Sequence, residues 1–115
     1  MGMPPRYSST GMPENRLDIL KNLVAQRPND SFARYGLAMA YASAGDDEQA
    51  VEQYRKLLEL NPKYVAAYYH GGQALEKLGR TDEARDIYRR GIAISTEIGD
   101  QHTRGELEAV LELLG

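Results

Sequence analysis

The stretch EQAVEQYRKLLELNP, Glu48 to Pro62, is the key to the architecture, because the chain repeats its pattern further on as EARDIYRRGIAISTE. At a shift of 34 residues Ala50 falls on Ala84, Tyr54 on Tyr88, Gly45 on Gly79, Tyr35 on Tyr69 and Ala38 on Gly72. The same shift in the other direction takes Pro62 to Pro28, Leu57 to Leu23 and Val51 to Leu17. A fixed interval of this size is the mark of a stacked supersecondary unit, one that cannot cover its apolar face without a copy of itself.

Inside the unit the period is helical. Apolar residues recur at three- and four-residue steps, as Leu17, Leu20, Val24, then Leu37, Ala40, Tyr41, Ala44, then Val51, Tyr54, Leu57, Leu58. Alternating β-branched runs are absent, so strands are not expected. Gly45 and Gly79 stand just past a last helical turn, and Pro28 and Pro62 stand where a helix has ended. Asp46 or Asp47, and Thr81 or Asp82, are the expected caps of the helices that follow. Small residues explain how the helices pair. Ala38 and Gly72 are expected to face Ala50 and Ala84, since two helices approach to about 8 Å only over such side chains. Tyr54 and Tyr88 then fill the wedge between units.

Residues 31–64, SFARYGLAMAYASAGDDEQAVEQYRKLLELNPKY, resemble a tetratricopeptide repeat through Leu37, Ala38, Tyr41, Ala50, Tyr54 and Pro62. Residues 65–98 follow the pattern more loosely through Tyr68, Gly72, Leu75, Ala84 and Tyr88. The resemblance implies an all-α solenoid of antiparallel helix pairs with about six helices. The expected layout is a disordered tail over 1–12 and a repeat domain over 13–115. That domain divides into a half-repeat cap helix (13–30), two repeats (31–64 and 65–98) and a C-terminal capping helix (99–115). The second repeat departs from the family at Gly71, Gly91 and Thr96, the last replacing the closing proline. The Gly71–Gly72 pair costs its helix about 1–2 kcal/mol against alanine. It marks either close helix contact or a softer unit.

The totals exclude several functions. The chain has 115 residues, no cysteine and a formal net charge of −3. That is one domain, large enough to bury roughly two-thirds of its unfolded surface, with no disulfide or thiolate metal site. It carries no basic field for nucleic acid and no apolar run long enough for a bilayer. The expected setting is the cytoplasm. No cofactor, metal or catalytic set is expected: His70 and His102 are the only histidines, without ligand partners at metal spacing, and Ser8, Ser9 and Thr10 have no base nearby.

In a stack of this kind the first helices of the pairs line a concave face. The residues expected there are Phe32, Tyr35 and Met39 from the first pair, Tyr69, His70 and Gln73 from the second, and Arg104 from the final helix. Asp100 and Thr103 continue the row. Aromatic and thioether side chains offer large contact area at low entropic cost, as peptide grooves require. The same stripe also reads as core, with Phe32 tucked under the first helix and Tyr35 shared between units. The resemblance implies one known mode, a clamp of cationic and amide side chains on a partner's terminal carboxylates. Its places fall on Tyr35, Met39, His70, Asp100 and Arg104, of which only Arg104 has the required charge, so that mode is not expected. The function expected is a non-catalytic adaptor that binds a short peptide or helix on the concave face. The alternative is a weakly self-associating module that uses its terminal helices.

Overall fold

The computed structural model describes residues 15–115, and the expected tail over 1–12 lies outside them. Six helices follow one another: α1 (Arg16–Gln26), α2 (Ser31–Ser43), α3 (Asp47–Leu60), α4 (Ala66–Lys77), α5 (Thr81–Ile98) and α6 (Gln101–Leu114). There is no strand among the described residues. Each helix packs on its neighbours in sequence, and the first helices of the pairs also meet, α2 with α4 and α4 with α6. The second helices, α3 and α5, never bring Cα atoms within 8 Å of each other. That asymmetry curves the stack: α2, α4 and α6 line its inner side, while α3 and α5 splay on the outer one. The molecule measures 59 × 27 × 20 Å, with a radius of gyration of 16.8 Å. A globule of this chain length would have about 13 Å.

The helix ends follow from local chemistry. Gly45 and Gly79 adopt positive φ (83° and 75°), and the next residue donates its N–H back over the turn, Asp46 to Tyr41 O and Arg80 to Leu75 O, both at 2.9 Å. Only glycine enters this left-handed region without strain. Gly99 closes α5 in the same way, with Asp100 N–H on Ser95 O at 2.9 Å. Side-chain caps stand at Asn15, Asp30, Asp46 and Asp100, each accepting the N–H three residues on. α5 differs from expectation. Arg80 occupies its N-cap with no side-chain cap bond, and Thr81 and Asp82 already lie within the helix. Arg80 instead pairs with Glu83 at 2.8 Å and Glu48 at 3.4 Å, holding the entry from outside.

The core forms two clusters. Val24, Ala33 and Leu37 seat α1 on α2, with Leu17, Leu20 and Leu23 against them. The larger cluster runs from Ala38 through Ala50, Tyr54, Leu57, Tyr68, Leu75, Ala84 and Tyr88 to Leu107. Ala38, Ala50 and Ala84 are fully buried, as close helix pairing demands. Gly72 lies in the α4–α5 pair, and its closest approach is to a ring of the facing helix. The atoms nearest to where its Cβ would stand belong to the Tyr88 ring, so the missing side chain makes room for that ring. Gly71 lies against Tyr54 Cβ in the same manner. The glycine pair is therefore a place of close contact.

Candidate functional site

On the inner side, α2 and α4 place aromatic side chains at the junction of the two repeats. Tyr35 is central. Its ring lies 5.1 Å from that of Tyr64, 5.9 Å from His70 and 6.4 Å from Tyr54, and His70 in turn meets Tyr69 edge-on at 5.2 Å. Such edge and tilted contacts are the preferred geometries of aromatic pairs. Tyr35, Tyr69 and His70 are each half-buried, packed on one side and open on the other.

Beside this cluster, Met39, Ala42, Ser43, Asp47, His70, Gln73 and Lys77 surround a cavity of about 190 Å³, with Tyr54 and Ala74 at its floor. The Tyr54 hydroxyl donates to Met39 Sδ at 3.1 Å. That contact fixes the thioether at the cavity wall and joins the groove to the core. Asp47 Oδ1 is buried and has no hydrogen-bond partner among the described residues. An unpaired buried acceptor of this kind is uncommon and calls for a donor.

Burial sets the protonation of the site. It pushes His70 below the ordinary histidine value, with Glu106 opposing, and it pushes Tyr54 and Tyr35 above the ordinary phenol value. Burial therefore favours the uncharged forms of His70, Tyr54 and Tyr35. The charges at the margin of the cluster are Asp47 and Lys77, with Glu106 facing His70 from α6.

Tyr35, Met39, Tyr69, His70 and Gln73 thus come together. Phe32 and Arg104 stand apart from them. Phe32, in the first turn of α2, is 76% exposed and does not tuck under α1. Arg104 is exposed on α6 and holds Glu108 at 3.2 Å. Asp100 is the cap of α6, its two oxygens accepting from Thr103 N–H at 3.0 Å and Thr103 Oγ1 at 2.8 Å. Tyr35 is also shared between units, packing against Tyr54 and Tyr64 while one side stays open. Tyr64 and Asp47 were not legible as site residues. Tyr64 overlays Asp30 in one direction of the 34-residue shift and Ile98 in the other, and it stands in the loop before α4, so no helical spacing pointed to it. No group of three or more His, Asp or Glu with metal-ligand placement occurs among the described residues. His102 stands outside the cluster, 3.5 Å from Glu106.

Helix pairs at a 34-residue interval, inner first helices and fully buried alanines at Ala50 and Ala84 define a helical repeat solenoid. A family model described as TPR repeat matches residues 38–79, and one described as Tetratricopeptide repeat matches residues 65–97. The solution structure of a tetratricopeptide repeat domain protein from Salinibacter ruber is 37% identical, covering 76% of this chain and 88% of its own, with a TM-score of 0.72. The chain belongs to the tetratricopeptide repeat family. BPP2914 from Bordetella parapertussis is 27% identical over 88% of each chain, with a TM-score of 0.76. PcrH, in complex with the chaperone binding region of PopD, shares the fold at a TM-score of 0.82 and 20% identity, over 94% of this chain and 81% of its own. No curated protein sequence matches the chain.

Proposed function

We propose that this chain is a non-catalytic protein-interaction module, and that it receives a short extended or helical segment of a partner on its concave side. The observation that carries this reading is the half-buried cluster of Tyr35, His70 and Tyr69, standing beside the Met39–Gln73 cavity at the junction of the repeats. Rings already held by edge contacts, and a thioether held by the Tyr54 hydroxyl, lose little freedom when a partner covers them. Phe32 at one end and Arg104 at the other extend the surface. The fold supports the reading too, since PcrH holds a segment of another protein on the same scaffold. Two repeats offer room for about four to six extended residues, which fits micromolar affinity. The module is read as cytoplasmic.

The test is capture of peptides from a random array by the immobilised chain, with the Tyr35→Ala/Tyr69→Ala variant beside it. Folding of the variant is checked by circular dichroism, and Gln73→Glu serves as a milder change at the cavity. Affinity is expected to fall at least about tenfold in the double variant, equivalent to about 1.4 kcal/mol. Equal capture of the same peptides by wild type and both variants would remove the concave site from consideration.

A second reading is self-association through the terminal helices. It is favoured by Leu113, which is 87% exposed on α6. Sedimentation of wild type and Leu113→Glu over a range of concentrations separates the two, because only self-association predicts a heavier species that the substitution abolishes.

A further inference from the structure

The outer side carries a larger cavity than the inner one. Where α3 and α5 splay apart, a groove of about 460 Å³ opens between them, within the size range of binding clefts. Its floor is apolar, formed by Leu58, Leu75 and Ile87. Its rim is charged, with Arg55 and Glu59 from α3 and Asp82, Glu83, Asp86 and Arg90 from α5.

The charges are not evenly spent. Arg55 pairs with Glu83, which also holds Arg80 at 2.8 Å. Asp82 takes Arg85 at 2.8 Å, and the Arg90 guanidinium lies 5.8 Å over the Tyr68 ring. Both rim guanidiniums are thus engaged. Glu59 and Asp86, one on each wall, have no ion-pair partner among the described residues. The groove therefore presents an apolar floor beneath two uncommitted carboxylates.

We propose that this outer groove is a second docking site, taking a segment of a protein partner in which arginine or lysine adjoins an apolar residue. The methylene stem of a basic side chain lies along Leu58, Leu75 and Ile87, and its head reaches Glu59 and Asp86. The apolar neighbour fills the remaining floor. Because the rim is solvent-exposed, the attraction is screened by salt, with a reach of about 10 Å at 0.1 M. The site is separate from the concave one and stands or falls independently of it.

The test is titration of the ¹⁵N-labelled chain with acetyl-Leu-Arg-Leu-Lys-amide, with acetyl-Leu-Glu-Leu-Glu-amide as the control. Saturable shifts are expected at the amides of residues 55–60 and 82–90 with the basic peptide alone, weakening as salt rises. Glu59→Lys/Asp86→Lys is expected to weaken binding at least about tenfold, and the isosteric Glu59→Gln/Asp86→Asn, which leaves packing alone, several-fold. Absence of shifts, an equal response to the acidic peptide, shifts centred on α2 and α4, or unchanged affinity in both variants would each overturn the proposal.

Discussion

In the first repeat, buried Arg34 donates to the Pro28 carbonyl at 2.9 Å and to Gln53 Oε1 at 2.7 Å. In the second, Tyr68, one interval on, donates to the Pro62 carbonyl at 2.7 Å, and buried Ile87 stands where Gln53 stood. A guanidinium and a phenol thus play the same part, since each reaches back six residues and ties the proline turn to the next helix. The position requires a donor and bulk, and two chemistries supply them. A similar exchange governs Leu57 and Gly91. Leu57 is fully buried, whereas a methyl group at Gly91 would stand 2.5 Å from Tyr68 Cβ and 2.8 Å from Leu107 Cδ1. The volume that the first repeat fills with its own leucine, the second leaves open for Leu107. That is how α6 docks, since Leu107 is the one residue of that helix buried in the core.

Placing the first repeat's leucine in the second challenges this correspondence most severely. Gly91→Leu is expected to cost about 3 kcal/mol or more by overpacking, and to expose α6 amides to hydrogen exchange before those of α2. Urea unfolding and exchange mass spectrometry read both effects. The pairing of Gly72 with Tyr88 gives a finer test. Gly72→Ala is expected to lose about 1–2 kcal/mol, overpacking exceeding the helix-propensity gain of about 1 kcal/mol. In a Tyr88→Leu background the same change should become neutral or stabilising, and a double-mutant cycle measures the difference.

Gly105 supplies the contrast. It lies within α6, exposed, with nothing near its missing Cβ, so Gly105→Ala should raise stability by about 1 kcal/mol. The smallest effect concerns pH. Burial holds His70 below its ordinary value, so the unfolded chain binds its proton first as pH falls. The associated stability is present above about pH 6.5 and is lost as pH drops toward the lower value of the folded chain. His70→Gln should flatten that part of the denaturation profile, and a histidine titration by NMR should place His70 below the ordinary value.

Much of this was legible in the sequence. The 34-residue interval revealed the helix pairs, because a stack reuses the same contacts and must reuse residues that make them. The glycine closures at Gly45 and Gly79 were readable because positive φ leaves few alternatives. The end of α5 was only half readable. Thr96 in place of proline removed the stop, and its hydroxyl bonds Ile92 O at 2.8 Å, so the helix runs on to Ile98 while α3 ends at Leu60. The contact of Gly72 with the Tyr88 ring was hidden, since a small residue looks the same whatever part of the facing helix it admits. Within the candidate site, helical spacing put Tyr35, Met39, Tyr69, His70 and Gln73 on neighbouring helix faces, and the structure sets them side by side. Spacing could not find Tyr64, which arrives from a loop, nor tell that Asp100 would be spent as a cap.

The decisive measurement for the concave site is chemical-shift mapping with a captured peptide that lacks basic residues. Saturable shifts are expected at Tyr35, Met39, Tyr69, His70 and Gln73, with the outer amides of α3 and α5 unmoved. Shifts confined to those outer amides, with the Tyr35–His70 junction silent, would contradict binding on the inner side.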